Sequence, residues 1–216
     1  MRYTVVFLDV DGVLVDSEKI FNVCWRKAAE REGYHMTYEQ ALQLRSLDAT
    51  LARELFLQWY GSEDAYPAIR TSRKSIMTEL ILSEPLVAKE GVLDFLKTVG
   101  NMSIKIAIVT SSPVSRISSY LASVGIDISL FDKIITTELV KRGKPFPDVY
   151  LFACNEMGCK PCECIAVEDS PNGVKSAHDA GCYTVMVPDL SPCTDDLKPY
   201  VDFNCARLSD LKTIIC

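Results

Sequence analysis

Two hydropathy patterns share this chain. Near-continuous apolar runs recur at residues 5–8, 104–109, 133–136, 164–167 and 183–187. Short runs of this kind read as strands buried on both faces, the usual state in a parallel sheet. From Gly91 onward they alternate with stretches of helical period at 92–99, 113–124, 147–157 and 172–180, with Gly125, Gly158 and Gly181 marking three of the ends. A weaker strand near 201–203 and a helix over 208–214 complete the pattern. Alternation of this order predicts an α/β fold, a doubly wound (Rossmann-like) parallel sheet covered on both faces.

Between Ser17 and Ser83 the strand pattern is missing. Ile20, Phe21, Val23, Cys24 and Ala28 recur at helical spacing up to Gly33, a C-cap residue. Helical segments follow at 38–47, at 49–60 closed by Gly61, and at 66–82 with Pro67 near the start. The expectation is a helical cap over residues 17–84 inserted into a core of residues 1–16 and 85–216. The hinges are placed at 15–17 and 83–85.

Composition narrows the class. The 216 residues are 48% hydrophobic and 24% charged, as in ordinary globular proteins, with a net charge of −6. That balance argues against nucleic acid or an anionic membrane as partner, but not against a small anion held by local cations. The first apolar run ends in two aspartates, unlike a signal peptide, and no stretch is long enough for a transmembrane helix. Nine cysteines without export signals point to reduced thiols in a cytoplasmic protein, here expected to be a monomer. The cluster Cys159, Cys162 and Cys164 lacks paired zinc-ligand spacing and a nearby histidine, so it reads as a loop tolerant of small residues.

The first strand runs directly into Asp9-Val10-Asp11-Gly12. Carboxylates two apart on an extended chain share a side, and ligands in open α/β sheets bind beyond the strands' carboxyl ends. Two such charges ask for compensation, and oxygen ligands suit Mg²⁺. A solvated Asp-x-Asp-Gly turn explains this stretch equally well on its own. The second strand ends in Thr110-Ser111-Ser112, an anion site or a plain N-cap run. After the third strand come Lys141-Arg142-Gly143-Lys144-Pro145, and the fourth ends in Glu168-Asp169-Ser170. Each motif has an ordinary structural explanation. Together they place two acidic pairs, a hydroxyl and a lysine on adjacent sheet edges, the set that a phosphoryl group requires.

Asp9-Val10-Asp11-Gly12-Val13, Thr110, Lys144-Pro145 and Glu168-Asp169 resemble the four motifs of the haloacid dehalogenase-like hydrolases, in order and over essentially the whole chain. VDSE at 15–18 and VEDSPNGVKSAHDAG resemble the β-phosphoglucomutase-like phosphatase branch, whose helical cap the insertion matches. The resemblance implies Asp9 as nucleophile, forming an aspartyl-phosphate, and Asp11 as general acid and then base. It also implies Mg²⁺ between Asp9, the Asp11 carbonyl, Glu168 and Asp169, with Thr110, the Ser111 amide and Lys144 on the phosphoryl oxygens. A carboxylate at Asp11 suits phosphate esters, since halide leaves without a proton. His35 and His178 read as structural.

The expected activity is hydrolysis of a small phosphorylated metabolite, a sugar phosphate. A phosphosugar mutase is the alternative. Mutases of this branch carry a basic residue in the cap's first hairpin for a second phosphate, where this chain has Asp48, with Arg45 a turn away. Many relatives also carry a histidine where Phe21 stands. Arg45, Arg73 and Lys74 are the cap-side substrate contacts proposed, with a solvated helix face as the plainer reading of the last two. A receiver-type phosphoacceptor domain would carry its aspartate on a middle strand and need no helical insertion. A nicotinamide-binding Rossmann enzyme would need a Gly-x-Gly-x-x-Gly after the first strand.

Overall fold

In the computed structural model, which describes residues 3–215, six strands form one parallel sheet in the order β3-β2-β1-β4-β5-β6. The strands are β1 Val5–Leu8, β2 Lys105–Thr110, β3 Lys133–Thr136, β4 Cys164–Glu168, β5 Tyr183–Met186 and β6 Phe203–Asn204. β1 is central. Val5 to Leu8 pair with Lys105 to Ile108 on one side and with Cys164 to Val167 on the other. All four of its residues are buried, as expected of a strand with helices on both faces. One apolar layer joins Val5, Phe7, Val109 and Ala166 to Val149, Tyr150 and Ala153. The opposite face joins Val6, Leu8, Ile108 and Val167 to Phe95, Ile117 and Leu121.

Four helices leave the chain between β1 and β2: α1 Glu18–Arg31, α2 Tyr38–Gln43, α3 Ala49–Tyr60 and α4 Ala65–Ser83. Their apolar stripes meet around Trp25, Phe56 and Tyr66, whose rings lie 5.2–6.4 Å apart. Five helices follow in the core: α5 Val92–Val99, α6 Val114–Ser123, α7 Asp148–Met157, α8 Pro171–Ala180 and α9 Lys212–Ile215. The strands joining insertion and core run side by side: the Asp16 amide donates to the Val87 carbonyl (3.0 Å), and that of Lys89 to Leu14 (3.0 Å).

The expected and observed elements differ in two places. The helix expected over 38–47 stops at Gln43, and Ser46 takes a left-handed φ of 54°. The carbonyls freed there are met by the core: Asn172 Nδ2 donates to Arg45 (2.8 Å) and Ser111 Oγ to Ser46 (3.2 Å). Docking thus outweighs another helical turn. The tail strand is only the two-residue β6, and the last helix begins as a 3₁₀ turn over Leu208–Leu211.

Asp48 is the clearest single element of that docking. Its Oδ1 caps α3 by accepting from the Thr50 amide (2.8 Å), its Oδ2 accepts from the Gly143 amide (2.7 Å), and its own amide donates to the Lys144 carbonyl (2.7 Å). Asp48→Ala removes two acceptors and should cost about 2 kcal/mol, one cap and one loop bond. At roughly 2–4 °C per kcal/mol for a chain of this size, the melting temperature should fall by about 4–8 °C. An unchanged melting curve would contradict the clamp.

Candidate active site

The carboxyl ends of β1, β2 and β4 converge on one spot. Asp9 follows β1 directly, Thr110 ends β2, and Glu168 ends β4 with Asp169 next. Asp9, Asp11, Thr110, Lys144, Glu168 and Asp169 are all buried, Lys144 completely. Lys144 Nζ donates to Asp9 Oδ1 (2.9 Å), to Glu168 Oε1 (2.5 Å) and to the Val109 carbonyl (3.1 Å). Burial alone would lower the Lys144 pKa, but Asp9 and Glu168 outweigh it and raise it. Tyr150 of α7 also donates to Glu168 Oε1 (2.5 Å).

Two glycines let these carboxylates approach backbone. Gly12 turns with φ +81°, and a Cβ there would strike the Asp169 carboxylate. A Cβ at Gly173 of α8 would strike that of Glu168.

One oxygen of each carboxylate remains without a partner: Asp9 Oδ2, Glu168 Oε2 and Asp169 Oδ1. Oxygens of these three residues lie within 4.8 Å of one another. Buried acceptors are rarely left unmet, and a hard divalent cation with oxygen ligands fits such a set. Burial is the main cause that lifts Glu168 to about 8 and Asp169 to about 7, against the neighbouring Lys144 and Arg45 respectively. The Asp11 side chain stands outside this group. Its Oδ1 accepts from Ser17 Oγ (2.6 Å) and its Oδ2 from Ser112 Oγ (2.6 Å). Burial first, and then the charge of Asp9, raise its pKa.

Arg45 turns inward, yet not toward a cap-side ligand. Its Nη2 donates to the Asp169 carboxylate and to the Asp169 carbonyl (3.0 Å), its Nη1 to Ser191 Oγ (2.8 Å), and its Nε lies 3.3 Å from Glu18. A guanidinium so engaged compensates the acidic cluster. Asp48, too, is bound to loop amides rather than aimed at a ligand.

Above this floor lies a cleft of about 520 Å³, with Asp11, Thr110 and Ser111 below and Trp25, Tyr66, Arg73 and Lys74 above. Its size is that of a small-ligand pocket. Arg73 is half-buried instead of lying on a solvated face: it stacks 4.2 Å from the Trp25 ring centre and 5.6 Å from that of Phe21. Burial, then the charge of Arg116, lower its pKa to about 10. Arg116 of α6 faces the same Phe21 ring at 5.3 Å and donates to Ser112 Oγ (3.2 Å). Lys74 is exposed at the rim.

The family described as haloacid dehalogenase-like hydrolase matches residues 5–187. The chain belongs to that family. It is 33% identical to hexitol phosphatase A of Escherichia coli (strain K12), over 87% of this chain and 84% of that protein. It is 29% identical to the validoxylamine A 7′-phosphate phosphatase of Streptomyces hygroscopicus subsp. limoneus, over 85% and 84%. The fold superposes on a β-phosphoglucomutase from Clostridium difficile with a TM-score of 0.80 at 21% identity, covering 99% of this chain and 95% of that one. With named phosphatases among its relatives, this haloacid dehalogenase-like chain is a phosphoric monoester hydrolase.

Sequence reasoning passed over several residues of this hydrolase's site. Ser17 and Ser112 hold Asp11, yet they stood inside quoted motifs, and their hydroxyls beside a paired carboxylate were a usable signal. Glu18 stands beside Ser17 in VDSE, whereas Tyr150 and Arg116 carry no local signal, because only the fold brings them to the site.

The raised pKa values of Glu168 and Asp169 fix a sign. Each lies above its ordinary value, so the folded protein keeps protons that the unfolded chain releases between about pH 4 and 8. Metal-free stability should therefore fall as pH rises through that window. A cation among the ionised carboxylates removes the cost, so added Mg²⁺ should raise the melting temperature more at pH 8 than at pH 5.5. An equal shift at both values in thermal melts against EDTA would contradict this.

Proposed function

We propose that this enzyme hydrolyses a small phosphorylated metabolite, a sugar phosphate, through an aspartyl-phosphate on Asp9. The observation that carries the reading is the trio of unpartnered buried oxygens on Asp9, Glu168 and Asp169, beside Lys144 and two residues from a hydroxyl-held Asp11. Those three carboxylates, with the Asp11 carbonyl, would hold Mg²⁺. When bound, the cation supplies positive charge against the phosphoryl oxygens and the acidic cluster.

Asp9 attacks phosphorus, forming an O–P bond as the ester bond breaks. Asp11 gives its proton to the departing oxygen, a role suited to a carboxyl whose pKa is raised by burial. It then takes a proton from water, whose oxygen bonds to phosphorus as the Asp9–phosphorus bond breaks. Thr110, the Ser111 amide and Lys144 hold the phosphoryl oxygens. Ser17 and Ser112 keep Asp11 oriented through both half-reactions. The helices over residues 17–84 act as a cap whose aromatic wall and Lys74 face the leaving group and exclude water. Eight free cysteines among the described residues support a reducing, cytoplasmic setting.

The phosphatases named among the relatives support hydrolysis. One observation favours a second reading, a mutase. Asp48 is held by the Thr50 and Gly143 amides, while Arg73 and Arg116 flank one ring without an ion pair to a carboxylate among the described residues. Those cations fit a second anionic group on the substrate.

Asp9→Asn should reduce turnover to background in Mg²⁺ while the melting curve keeps its cooperative shape. Asp11→Ala should cost a sugar phosphate roughly 10²–10⁴-fold and p-nitrophenyl phosphate far less, because p-nitrophenolate leaves without a proton. Equal losses on both esters would remove Asp11 from the role. Supplied with β-glucose 1-phosphate and catalytic glucose 1,6-bisphosphate, the enzyme should release inorganic phosphate. Glucose 6-phosphate accumulating without free phosphate would make it the mutase.

A further inference from the structure

At the opposite, amino-terminal end of the sheet the fold gathers thiols that are scattered along the chain. Cys154 lies in the last turn of α7, Cys159 follows the left-handed Gly158 (φ 67°), and Cys164 opens β4. Their Sγ atoms all lie within 4.8 Å, with Cys159 and Cys164 at 3.2 Å and Cys154 and Cys164 at 3.9 Å. Cys182, just before β5, is buried in the same apolar cluster and supplies a fourth thiol nearby. Cys162 is exposed and stands outside the group, so the thiols that assemble are not those clustered along the sequence at 159, 162 and 164.

We infer that Cys154, Cys159 and Cys164, with Cys182 in reserve, form a binding site for a soft, thiophilic d¹⁰ cation such as Zn²⁺. A tetrahedral Zn–S distance of about 2.3 Å sets neighbouring sulfurs about 3.8 Å apart, so the thiols need move only slightly. Soft thiolates select Zn²⁺ and Cu⁺ over Mg²⁺, and the carboxylates at the other sheet edge have the reverse preference. Cys154 and Cys164 are buried among apolar side chains, while half-buried Cys159 gives the cation a way in. Each Cys–metal bond replaces an S–H bond, so three bound sulfurs release three protons to solvent. The filled site would tie α7 to β4, and α7 carries Tyr150, the hydrogen-bond donor to Glu168.

The test titrates the reduced full chain with Cd²⁺, and with Zn²⁺ against a chromophoric chelator, in saturating Mg²⁺ that occupies the carboxylates. One Cd²⁺ per chain should bind, with thiolate-to-metal absorption in the ultraviolet, release of about three protons and a higher melting temperature. Cys159→Ser, at a half-buried and tolerant position, should weaken binding at least tenfold and leave phosphatase activity unchanged. Cys162→Ser and Cys193→Ser should bind like the parent. No thiolate absorption in the parent, or equal binding by Cys159→Ser, overturns the site. So does loss of binding in Cys162→Ser. The outcome is independent of the phosphatase reading, because the signal comes from sulfur alone.

Discussion

Five carboxylates buried around one sheet edge set the terms for everything near them. Asp9, Asp11, Glu168, Asp169 and Glu18 are all less than 8% exposed, and among the described residues two buried cations face them. Lys144 takes Asp9 and Glu168, while Arg45 takes Asp169 and Glu18. Asp11 receives hydroxyls alone. Removing that many charges from water is costly unless each is paired, and here the pairing is incomplete. The raised pKa values of Asp11, Glu18, Glu168 and Asp169 are this imbalance expressed as proton affinity. A divalent cation would correct it where three oxygens lack partners.

The pairing also explains the cap's attachment. Arg45 belongs to the inserted segment but balances the core carboxylate of Asp169 as well as Glu18 of α1, so the charge deficit itself holds residues 43–48 against the core. Asn172, Ser111 and Gly143 then meet the backbone and the Asp48 carboxylate that this docking exposes. Opening the cap would withdraw one of the two buried cations from the acidic cluster. Cap position and the charge state of the site are therefore coupled through one side chain.

Much of this was legible from sequence because it is local. The strand cores are continuous apolar runs, and Asp9, Thr110, Lys144 and Glu168 each sit a fixed step past a strand or beside a proline. The four-residue bounds of β1 and β3 and the twelve-residue bounds of α3 follow from such signals. The exceptions are all long-range. The helix over 38–43 ends early because Asn172, more than a hundred residues away, takes its carbonyls. Arg73 looked like a solvated residue because helical spacing cannot say which face meets Trp25 and the cleft. Cys154 and Cys182 join Cys159 and Cys164 only because α7, β4 and β5 are neighbours in the fold, and spacing along the chain hides it.

The hydroxyls around Asp11 carry the coupling into the chemistry. Ser17 immediately precedes α1 of the insertion, and Ser112 lies two residues past β2 of the core. The two donors thus come from the start of the insertion and from the core, and grip one oxygen each. The Ser17 hydrogen bond favours the ionised form of Asp11, against burial and the charge of Asp9, so movement of the insertion that carried Ser17 away would remove that support. Docking restores the bond and lowers the cost of releasing the proton. An acid that must protonate a leaving group and later accept a proton from water benefits from that arrangement, because the closed state brings its two forms nearer in free energy. The same closure places the aromatic wall of Trp25 and Tyr66 over the cleft. Were the insertion to move, proton affinity, solvent access and cap position would change together, which a carboxylate fixed wholly by the core could not provide.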